Sequence, residues 1–345
     1  MNYQDLTILA GDIGGTKTNL AIVSMENDIK SPLAEGTFSS KKYPNLESII
    51  QEFLIGQAKE IHIDCASFGV AGPVIDNRAK ITNLPWIIDK SEIIRKFGFS
   101  SVCLNNDLLA CAYILPNLEA NDLYTLNDGI FDPEGSIALV APGTGLGEAY
   151  LTWCNAHYHA FPSEGGHADF APTNTLEKGL LDYLGAHFNR VSTERVCSGR
   201  GLANIYRYLR DTGCNEEPDW LSGILSAVDD PVPVIIESAL DGDRSCLLCQ
   251  SALNMFVHIL GTEAGNMALK IMSSGGVYIG GGIPPRIIEV LKKSSFMEAF
   301  CHKGRISELM NRIPVHVIMN PKTALLGAAR YAMDLFLHDE KNNCI

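Results

Sequence analysis

The chain has 345 residues, of which 46% are hydrophobic and 19% charged, and its formal net charge is -13. The length favours two hydrophobic cores over one, the composition excludes a disordered or fibrous protein, and the acidic balance argues against nucleic acid or an anionic membrane as partner. The N-terminal residues lack the pattern of a secretory signal and no apolar run is long enough to cross a membrane, so we expect a cytoplasmic protein.

The first half of the chain alternates strand signals with helix signals. An apolar run over residues 6–13 leads into Gly14 and Gly15, and a second apolar run over 20–25 follows at once, which predicts a β-hairpin with a tight turn. Periodicity and apolar runs then predict a helix over 44–58, a strand over 61–70, a helix over 89–97 and a strand over 102–104. This alternation is typical of an α/β layer.

The second half begins with the same pattern. From Ser136 the segment SIALVAPGTGLGEAYLTW again gives an apolar strand, a glycine turn and a second strand. The remaining predicted elements are a helix over 244–272, a strand in GGVYI, a strand over 314–319 and a helix over 322–337. Because the hairpin-first unit occurs twice, we expect duplicated lobes that face one cleft.

The first glycine turn, within GDIGGTKTN, has the composition of a phosphate-binding loop. Gly14 and Gly15 let backbone amides approach an anion, while Thr16 adds a hydroxyl and Lys17 a positive charge. Asp12, at the end of the strand, is placed to organise Mg²⁺ through water. The spacing is not that of a Walker A motif, and an ordinary hairpin turn is the alternative interpretation.

The second glycine turn repeats this chemistry at the matching place in the second half. It contains Gly143, Thr144, Gly145 and Gly147. Three glycines at alternate positions exceed what a turn without function requires, so the pair of loops favours phosphate binding.

A third glycine cluster follows the apolar segment GVYI. Gly280, Gly281 and Gly282 lie between a predicted strand and a helix that starts at Pro284. We expect Gly281 and Gly282 to offer a surface to the base and ribose of a nucleotide. A tight strand-to-helix turn is the alternative.

Taken together, these motifs resemble the bacterial glucokinases, a group of the actin-like, hexokinase-type ATPases. The resemblance covers nearly the whole chain, in this order: GDIGGTKTN at 11–19, GVAGPV at 69–74, TNLPW at 82–86, NND at 105–107, GTGLG at 143–147, SEGGHADFAP at 163–172, STERVCSG at 192–199, GGVYIGGGIPPR at 275–286 and LLGAA at 325–329. It implies an α/β fold of two RNase-H-like lobes, with mixed sheets flanked by helices and a cleft between the lobes. The small lobe would comprise 1–115 and 320–345, and the large lobe 116–319.

The resemblance also implies the chemistry, which is ATP-dependent phosphorylation of glucose with Mg²⁺ as the ion that bridges the phosphates. Asp107 would be the general base for the sugar's 6-hydroxyl and Asn106 a sugar ligand beside it. An Asn-Asp pair before LLACAYIL is also a plausible helix cap, and both roles are compatible. A homodimer through the large lobe is a further implication.

Three more residues match the sugar-binding set of that family. Glu164 and His167 lie in SEGGHADF, and Glu194 lies in STERV. Carboxylates and an imidazole suit a polyol because each makes directional hydrogen bonds to hydroxyls. Without the resemblance, 192–195 is only a plausible helix N-terminus. Asn83 in TNLPW is a weaker sugar-contact candidate.

Several alternatives stay open at this point. The ROK sugar kinases carry a cysteine-rich zinc motif after the equivalent of His167, whereas HADFAPTNTLEKG offers no zinc ligands, so we expect no structural metal. Mannose, fructose or an N-acetylated hexosamine could replace glucose, and ADP or polyphosphate could replace ATP. A sugar-sensing regulator usually adds a helix-turn-helix segment, for which little room precedes Asp12. An actin-like filament or chaperone ATPase leaves the sugar-ligand set unexplained.

Overall fold

Contacts within the chain divide it into two compact units, each with its own sheet and hydrophobic core. The computed structural model describes residues 6–342 apart from 27, 58–60, 82–83 and 245. The first unit consists of the described residues of Met1–Leu118 and Asn320–Ile345, and the second of those of Glu119–Met319. The C-terminal helix therefore packs with the N-terminal third of the chain.

The first unit holds three helices of the N-terminal segment, the C-terminal helix and eight strands among its described residues. In chain order they are β1 (Thr7–Ile13), β2 (Lys17–Ser24), β3 (Ala34–Ser39), α1 (Leu46–Gln57), β4 (Cys65–Val70), β5 (Val74–Ile75), β6 (Arg78–Lys80), β7 (Ile87–Asp89), α2 (Lys90–Phe97), β8 (Ser101–Asn106), α3 (Asp107–Ile114) and α12 (Thr323–Asn342).

The second unit holds the intervening elements. In chain order they are β9 (Leu123–Asn127), β10 (Ile137–Pro142), β11 (Leu146–Cys154), β12 (His157–Ser163), α4 (Thr175–Gly185), α5 (Gly199–Asp211), α6 (Asp219–Leu225), α7 (Val232–Leu240), α8 (Leu247–Ile271), β13 (Val277–Ile279), α9 (Ile288–Leu291), α10 (Ser294–Cys301), α11 (Ser307–Met310) and β14 (Val315–Ile318).

The main sheets of the two units have the same plan. The first has the order β3-β2-β1-β4-β8 and the second the order β12-β11-β10-β13-β14-β9. In each, an antiparallel three-strand meander is followed by parallel strands, and β9 adds an antiparallel edge to the second sheet. The predicted duplication of a hairpin-first α/β unit is confirmed, and the fold is α/β with mixed sheets flanked by helices.

The first sheet is covered on both faces, which follows from the side-chain alternation of β1. Ile8 packs in a cluster with Leu325 of α12, whereas the next residue, Leu9, packs in a cluster with Phe53 of α1. Successive residues of a strand point to opposite faces, so an unbroken apolar run predicts burial on both. Each large side chain buried in this way contributes about 1.5–3 kcal/mol.

The second unit is organised around α8, which is buried along most of its length. Helices α5, α7 and α10 pack against it. A helix that is apolar on every side belongs in the interior, so the predicted helix over 244–272 is also the centre of the core. Two polar residues, Thr262 and Glu263, are nevertheless buried within it.

The predicted elements agree with the structure in type, and the differences lie at their ends. The predicted strand over 61–70 is regular only from Cys65, since at Asp64 the backbone N–H donates to the carbonyl of Thr7 at 3.0 Å while the N–H of Thr7 turns to the Asp64 carboxylate at 2.8 Å. Asn83 and the end of the helix predicted over 44–58 lie outside the described residues. In the part of the chain that is described, no helix combines the length and apolarity needed to cross a membrane.

Candidate active site

The first group of predicted site residues lies at one edge of the first sheet. The parallel strands β1, β4 and β8 end side by side, with Asp12 opposite Gly69 and Gly69 opposite Asn105. Asn106 ends β8 and Asp107 begins α3. Ligands in α/β proteins bind at the carboxyl ends of such strands, so this edge is a plausible place for chemistry.

Asn106 and Asp107 both cap α3, as the residue types predict. Asn106 Oδ1 accepts the N–H of Leu108 at 3.0 Å, and Asp107 Oδ1 accepts the same N–H at 2.8 Å. Asn106 Nδ2 also donates to the carbonyl of Gly72 at 3.3 Å. These bonds fix the direction of both side chains before any substrate binds, which is the preorganisation that a site needs.

The environment of Asp107 changes its acidity. Burial raises its pKa to about 6, the hydrogen bond from the Leu108 N–H opposes the shift, and the charge of Asp12 adds to it. A carboxylate with a pKa near the working pH combines proton affinity with a large ionised fraction, as a general base requires. The geometry therefore suits Asp107 to accept a proton.

Asp12 lies beside the first glycine turn. Burial raises the pKa of Asp12, and the hydrogen bond from Asn19 Nδ2 to Asp12 Oδ2 at 3.2 Å opposes that shift. The turn itself closes through the N–H of Gly14, which donates to the carbonyl of Lys17 at 2.9 Å. Thr16 and Lys17 are exposed. Their side chains are therefore accessible to a ligand.

A buried serine, Ser40, directly follows β3 and supports the same turn. Ser40 Oγ donates to the carbonyl of Gly14 at 2.7 Å, and its backbone N–H donates to the carbonyl of Thr16 at 3.0 Å. The conformation around Gly15 is thus set by hydrogen bonds on either side of it. This support was not predicted, because Ser40 is distant in sequence and an isolated serine carries no signal.

The second glycine turn, in the second unit, is held differently. The N–H of Gly143 donates to the carbonyl of Gly145 at 2.8 Å, and the N–H of Gly199 donates to the carbonyl of Gly143 at 2.8 Å. Glu194 Oε2 accepts the N–H of Leu146 at 3.0 Å. A Cβ on Gly145 would lie 2.5 Å from that carboxylate oxygen, so a glycine is required for the contact. Thr144 is exposed at the tip and Gly147 pairs with Ala141 of β10.

The third glycine cluster lies next to the second turn. The N–H of Gly280 donates to the carbonyl of Val140 at 2.9 Å, and Gly281 has a φ of 84° against the end of β10. Gly281 and Gly282 are both exposed. A short 3₁₀ helix over Pro284–Ile287 follows, as the proline-started helix predicts. Two of the three predicted glycine clusters thus form one surface within the second unit.

The predicted sugar ligands of the second unit lie close together. Glu164 precedes the 3₁₀ helix Gly165–His167, and Glu194 lies in the 3₁₀ helix Thr193–Arg195. The N–H of Thr193 donates to the carbonyl of Ala168 at 2.9 Å, which joins the two helices. Glu164 Oε2 and His167 Nε2 are 3.8 Å apart, and their side chains are 92% and 59% exposed. Both are accessible to a polyol.

Two supporting residues were missed in the sequence. Arg190 donates to the carbonyl of His167 at 2.6 Å and to Asp169 Oδ1 at 3.0 Å, so it braces the segment that carries His167. Ser198 Oγ accepts the N–H of Gly201 at 3.0 Å and donates to the carbonyl of Glu194 at 2.7 Å. The serine before two glycines in CSGRG was the available signal.

Helix α5 begins later than the sequence predicted. The sequence indicated a helix N-terminus at residues 192–195, but Ser192 makes no side-chain cap bond and only the 3₁₀ helix Thr193–Arg195 forms there. The helix begins after Ser198 instead. The N–H of Thr193 donates to the carbonyl of Ala168, so the backbone at this point does not follow the path of α5. Helix α5 begins only where Ser198 can cap it.

Mg²⁺ fits the first group of residues. In the described residues, no cluster of three or more His, Cys, Asp or Glu side chains could hold a metal alone. Mg²⁺ in nucleotide enzymes keeps several waters and uses one or two carboxylates with the substrate phosphates, so it does not need such a cluster. The Asp12 carboxylate, whose pKa burial raises, offers an oxygen that a cation would stabilise in its ionised form.

A family model and known relatives of this chain agree on one family. The family model for glucokinase matches residues 9–335. A glucokinase from a Nostoc species is 42% identical over 342 residues, which cover 95% of this chain and 99% of that protein.

Solved structures agree. The glucokinase of an Antarctic psychrotroph has a TM-score of 0.80 at 31% identity and covers 94% of this chain and 98% of its own. Glucokinase from Balamuthia mandrillaris, in complex with glucose, has a TM-score of 0.76 at 20% identity, covers 95% of this chain and 94% of its own, and so shows a shared fold. The chain belongs to the glucokinase family.

Proposed function

We propose that this protein transfers the γ-phosphoryl group of ATP to the 6-hydroxyl of glucose, with Asp107 as general base. The observation that carries the proposal is the Asp107 carboxylate, which is fixed at the start of α3 and has a pKa raised to about 6 by burial. Family membership supports glucose as the acceptor and ATP as the donor.

In the proposed mechanism, Asp107 accepts the proton of the 6-hydroxyl as its oxygen attacks the γ-phosphorus. The new O–P bond forms while the bond to the β-phosphate oxygen breaks, and ADP leaves with that electron pair. Such a transition state needs alignment and charge neutralisation more than covalent help. Asn106 Nδ2 donates to the carbonyl of Gly72, and a hydrogen bond from the Asn106 side chain also lowers the pKa of Asp107, so Asn106 is proposed to contact the sugar directly beside the base.

The glucose hydroxyls are proposed to be held by Glu164, His167 and Glu194. Each offers directional hydrogen bonds, and an epimer that left one of them unpaired would bind less well. The exposure of Glu164 and His167 supports this role, since neither side chain is committed to the core.

The backbone amides of Gly15, Thr144 and Gly145 are proposed as donors to the phosphates, because the N–H groups of Gly14, Gly143 and Leu146 already donate to acceptors within the protein. Thr16, Lys17 and Thr144 would contribute side chains. Gly281 and Gly282 would contact the nucleoside. Asp12 would hold Mg²⁺, which would supply charge neutralisation on the phosphates when ATP is bound. A homodimer and a cytoplasmic location stay predictions.

The proposal is tested by a coupled assay of the purified protein with Mg-ATP. Formation of ADP is compared on glucose, mannose, fructose, N-acetylglucosamine and no sugar, and glucose is then assayed with ADP and polyphosphate as donors. Selective turnover on glucose with ATP is expected. Turnover on another sugar would change the substrate and keep the mechanism, whereas the absence of sugar-dependent turnover with every donor would contradict the proposal.

A further inference from the structure

A buried carboxyl pair lies in the second unit, outside the residues proposed to bind substrate. Glu148, on β11, is 1% exposed, and Glu263, on α8, is 6% exposed. Asn266 Nδ2 donates to Glu263 Oε2 at 3.1 Å. Within the described residues, no N–H or O–H group donates to either oxygen of Glu148 or to Oε1 of Glu263. Buried carboxylates are normally hydrogen-bonded, so these three oxygens need an explanation.

The two carboxyl groups are neighbours, so a proton on one of them lets it donate to the other and satisfies two of the three oxygens. Two ionised carboxylates have no donor between them, whereas one proton lets one carboxyl donate to the other. Burial raises the pKa of Glu148 to about 7, the charge of Glu263 adds to the shift, and Lys270 opposes it. A pair of carboxyls that cannot both ionise holds one proton in common.

The pair supports the backbone of residues 163–167, called here the sugar segment. Glu148 is opposite Ser163 in the β11–β12 ladder. A Cβ placed on Gly165 would overlap Glu148 Oε2, so the glycine backbone rests directly on that carboxyl. The segment turns there, where the N–H of Gly165 donates to Ser163 Oγ at 3.0 Å. Glu164 and His167 lie on either side of the point of contact.

We propose that Glu148 and Glu263 share one proton and that the neutral head of Glu148 is a positioning support for the sugar segment. This inference rests on the proposed function, because it assigns the segment's Glu164 and His167 to glucose. Loss of the proton places two negative charges side by side in the interior, directly behind Gly165. The resulting repulsion displaces the segment and weakens its hold on the sugar.

Other charged and titratable groups around the pair do not replace the shared proton. Lys270 Nζ lies 3.8 Å from Glu263 Oε1 and Lys303 donates to Asn266 and Thr262 instead. Cys197 is fully buried, and burial with the charges of Glu263 and Glu148 raises the pKa of its thiol, so it stays neutral. Lys270 therefore faces Glu263, although its charge also opposes the rise in the pKa of Glu148, and among the described residues no ion pair joins a cation to Glu148.

The shared proton has a defined effect on stability. The pKa of Glu148 is about 7 in the folded protein and 4.5 in an unfolded chain, so the folded state binds the proton more tightly between these values. Stability is therefore greatest at the acid end of that window, falls as pH rises through it, and stays low above about 7. A neutral residue at position 148 removes this dependence.

The experiment compares the wild type with Glu148→Gln, in which an amide replaces the protonated carboxyl and can still donate to Glu263. Glucose KM and kcat are measured from about pH 6 to about pH 8.5. The wild-type glucose KM should rise by up to about tenfold per pH unit above the pKa, which is the limit for a single proton. Glu148→Gln should keep the low-pH KM throughout, with kcat unchanged relative to the wild type.

Asp107 titrates in both proteins, so only the difference between their profiles reports the carboxyl pair. Glu177→Gln is the matched control, because Glu177 is equally buried but lies on α4 with Thr173 and His258 as partners. It should retain the wild-type rise of KM with pH. Glu263→Gln should behave as Glu148→Gln does, which keeps the test available if one variant fails to fold.

Identical KM profiles in the wild type, Glu148→Gln and Glu263→Gln would overturn the positioning role. Melting temperatures over the same pH range test the shared proton without any substrate. Glu148→Gln should gain stability relative to the wild type as pH rises from about 5 to about 8, and a constant difference would overturn the shared proton. If the wild type fails to phosphorylate glucose at every pH, the proposed function fails, while the melting temperatures still decide about the pair.

Discussion

The two hairpins that begin the two sheets have the same topology but different supports. The first turn is braced by Ser40, a residue with no proposed contact to the sugar. The second turn is tied through Leu146 to Glu194, which is itself a proposed sugar ligand. A repeated backbone can thus carry one loop that is independent of glucose and another whose position depends on a proposed glucose-binding residue.

Asp107 and Glu148 both have raised pKa values, but they differ in their access to solvent. Asp107 is half-buried and accepts a hydrogen bond from Leu108, whereas Glu148 is closed off from solvent and has no donor among the described residues. Desolvation raises the pKa in both. Only the first is accessible to a substrate, so a perturbed pKa marks a candidate base only where the group is also exposed.

The largest expected effect tests whether Asp107 is the accessible base. Asp107→Ala should lower kcat for glucose by at least about 100-fold, because general-base catalysis typically contributes 10²–10⁴-fold. Glucose KM should stay within about threefold, since Glu164, His167 and Glu194 remain. Steady-state kinetics in the coupled assay measure both values.

Asp89→Ala is the control for this variant. Asp89 also lies where a strand meets a helix: it ends β7 and caps α2, accepting the N–H of Ser91 at 2.8 Å, so its loss has a similar structural cost. It should leave kcat nearly unchanged. A kcat within about tenfold of the wild type for Asp107→Ala would remove Asp107 from its role.

A smaller effect, on KM, tests whether the second glycine turn depends on Glu194 while the first turn does not. Glu194→Ala should raise KM for glucose and also for ATP, each by about 10–100-fold, because it removes a charged hydrogen bond to the Leu146 N–H as well as a sugar ligand. Glu164→Ala should raise glucose KM alone. Initial rates with each substrate varied at saturating levels of the other give these constants.

Glu194→Gln separates the two roles of this residue. Its amide oxygen can still accept the Leu146 N–H, so ATP KM should return to near the wild-type value while glucose KM stays raised. An ATP KM that is unaffected in Glu194→Ala would mean that the second loop, like the first, is set independently of the sugar ligands.

Both β-hairpins and the cap of α3 could be predicted from the sequence, because the residue patterns that specify them are local. Unbroken apolar runs and glycines define both hairpins, and the register of β1 with β2 closes at Thr18, directly beyond the predicted turn. Asn106 and Asp107 were predicted as caps because short polar side chains bond to nearby amides. The general-base and sugar-binding roles came from the resemblance, whereas phosphate binding was inferred from the glycine turns themselves.

The side-chain contacts that support the site could not be predicted, because they join residues far apart in the chain. Glu148 meets Glu263 only when the sheet that contains β10 and β11 packs against α8, and Arg190 reaches His167 only after the chain has turned back. A glutamate inside the apolar run of β11 was a local anomaly that sequence reasoning did not use. The role of this glutamate depends on its partner Glu263, which hydrophobic periodicity does not identify.

The smallest expected effect is on the free energy of unfolding, which the burial of the Asp107 carboxylate should lower at high pH. Because its pKa rises from 3.8 to about 6 on folding, the folded state favours the protonated form. Stability from this group is greatest below the unfolded value and is lost as pH rises to about 6. Asp107→Asn has no charge and keeps an oxygen for the Leu108 N–H. It should therefore be more stable than the wild type at about pH 8, by about 1–2 kcal/mol after allowance for residual solvent, and nearly equal at about pH 4.

Urea unfolding at the two pH values measures this difference, and Asp89→Asn provides a control of opposite sign. The hydrogen bond from Arg78 lowers the pKa of Asp89, so the ionised form stabilises the fold and its replacement should lower stability at the higher pH. A gain for Asp107→Asn that is equal at both pH values would mean that its charge is not the cause. A gain confined to the higher pH would show that the same desolvation that suits Asp107 to accept a proton also destabilises the folded protein once this carboxyl ionises.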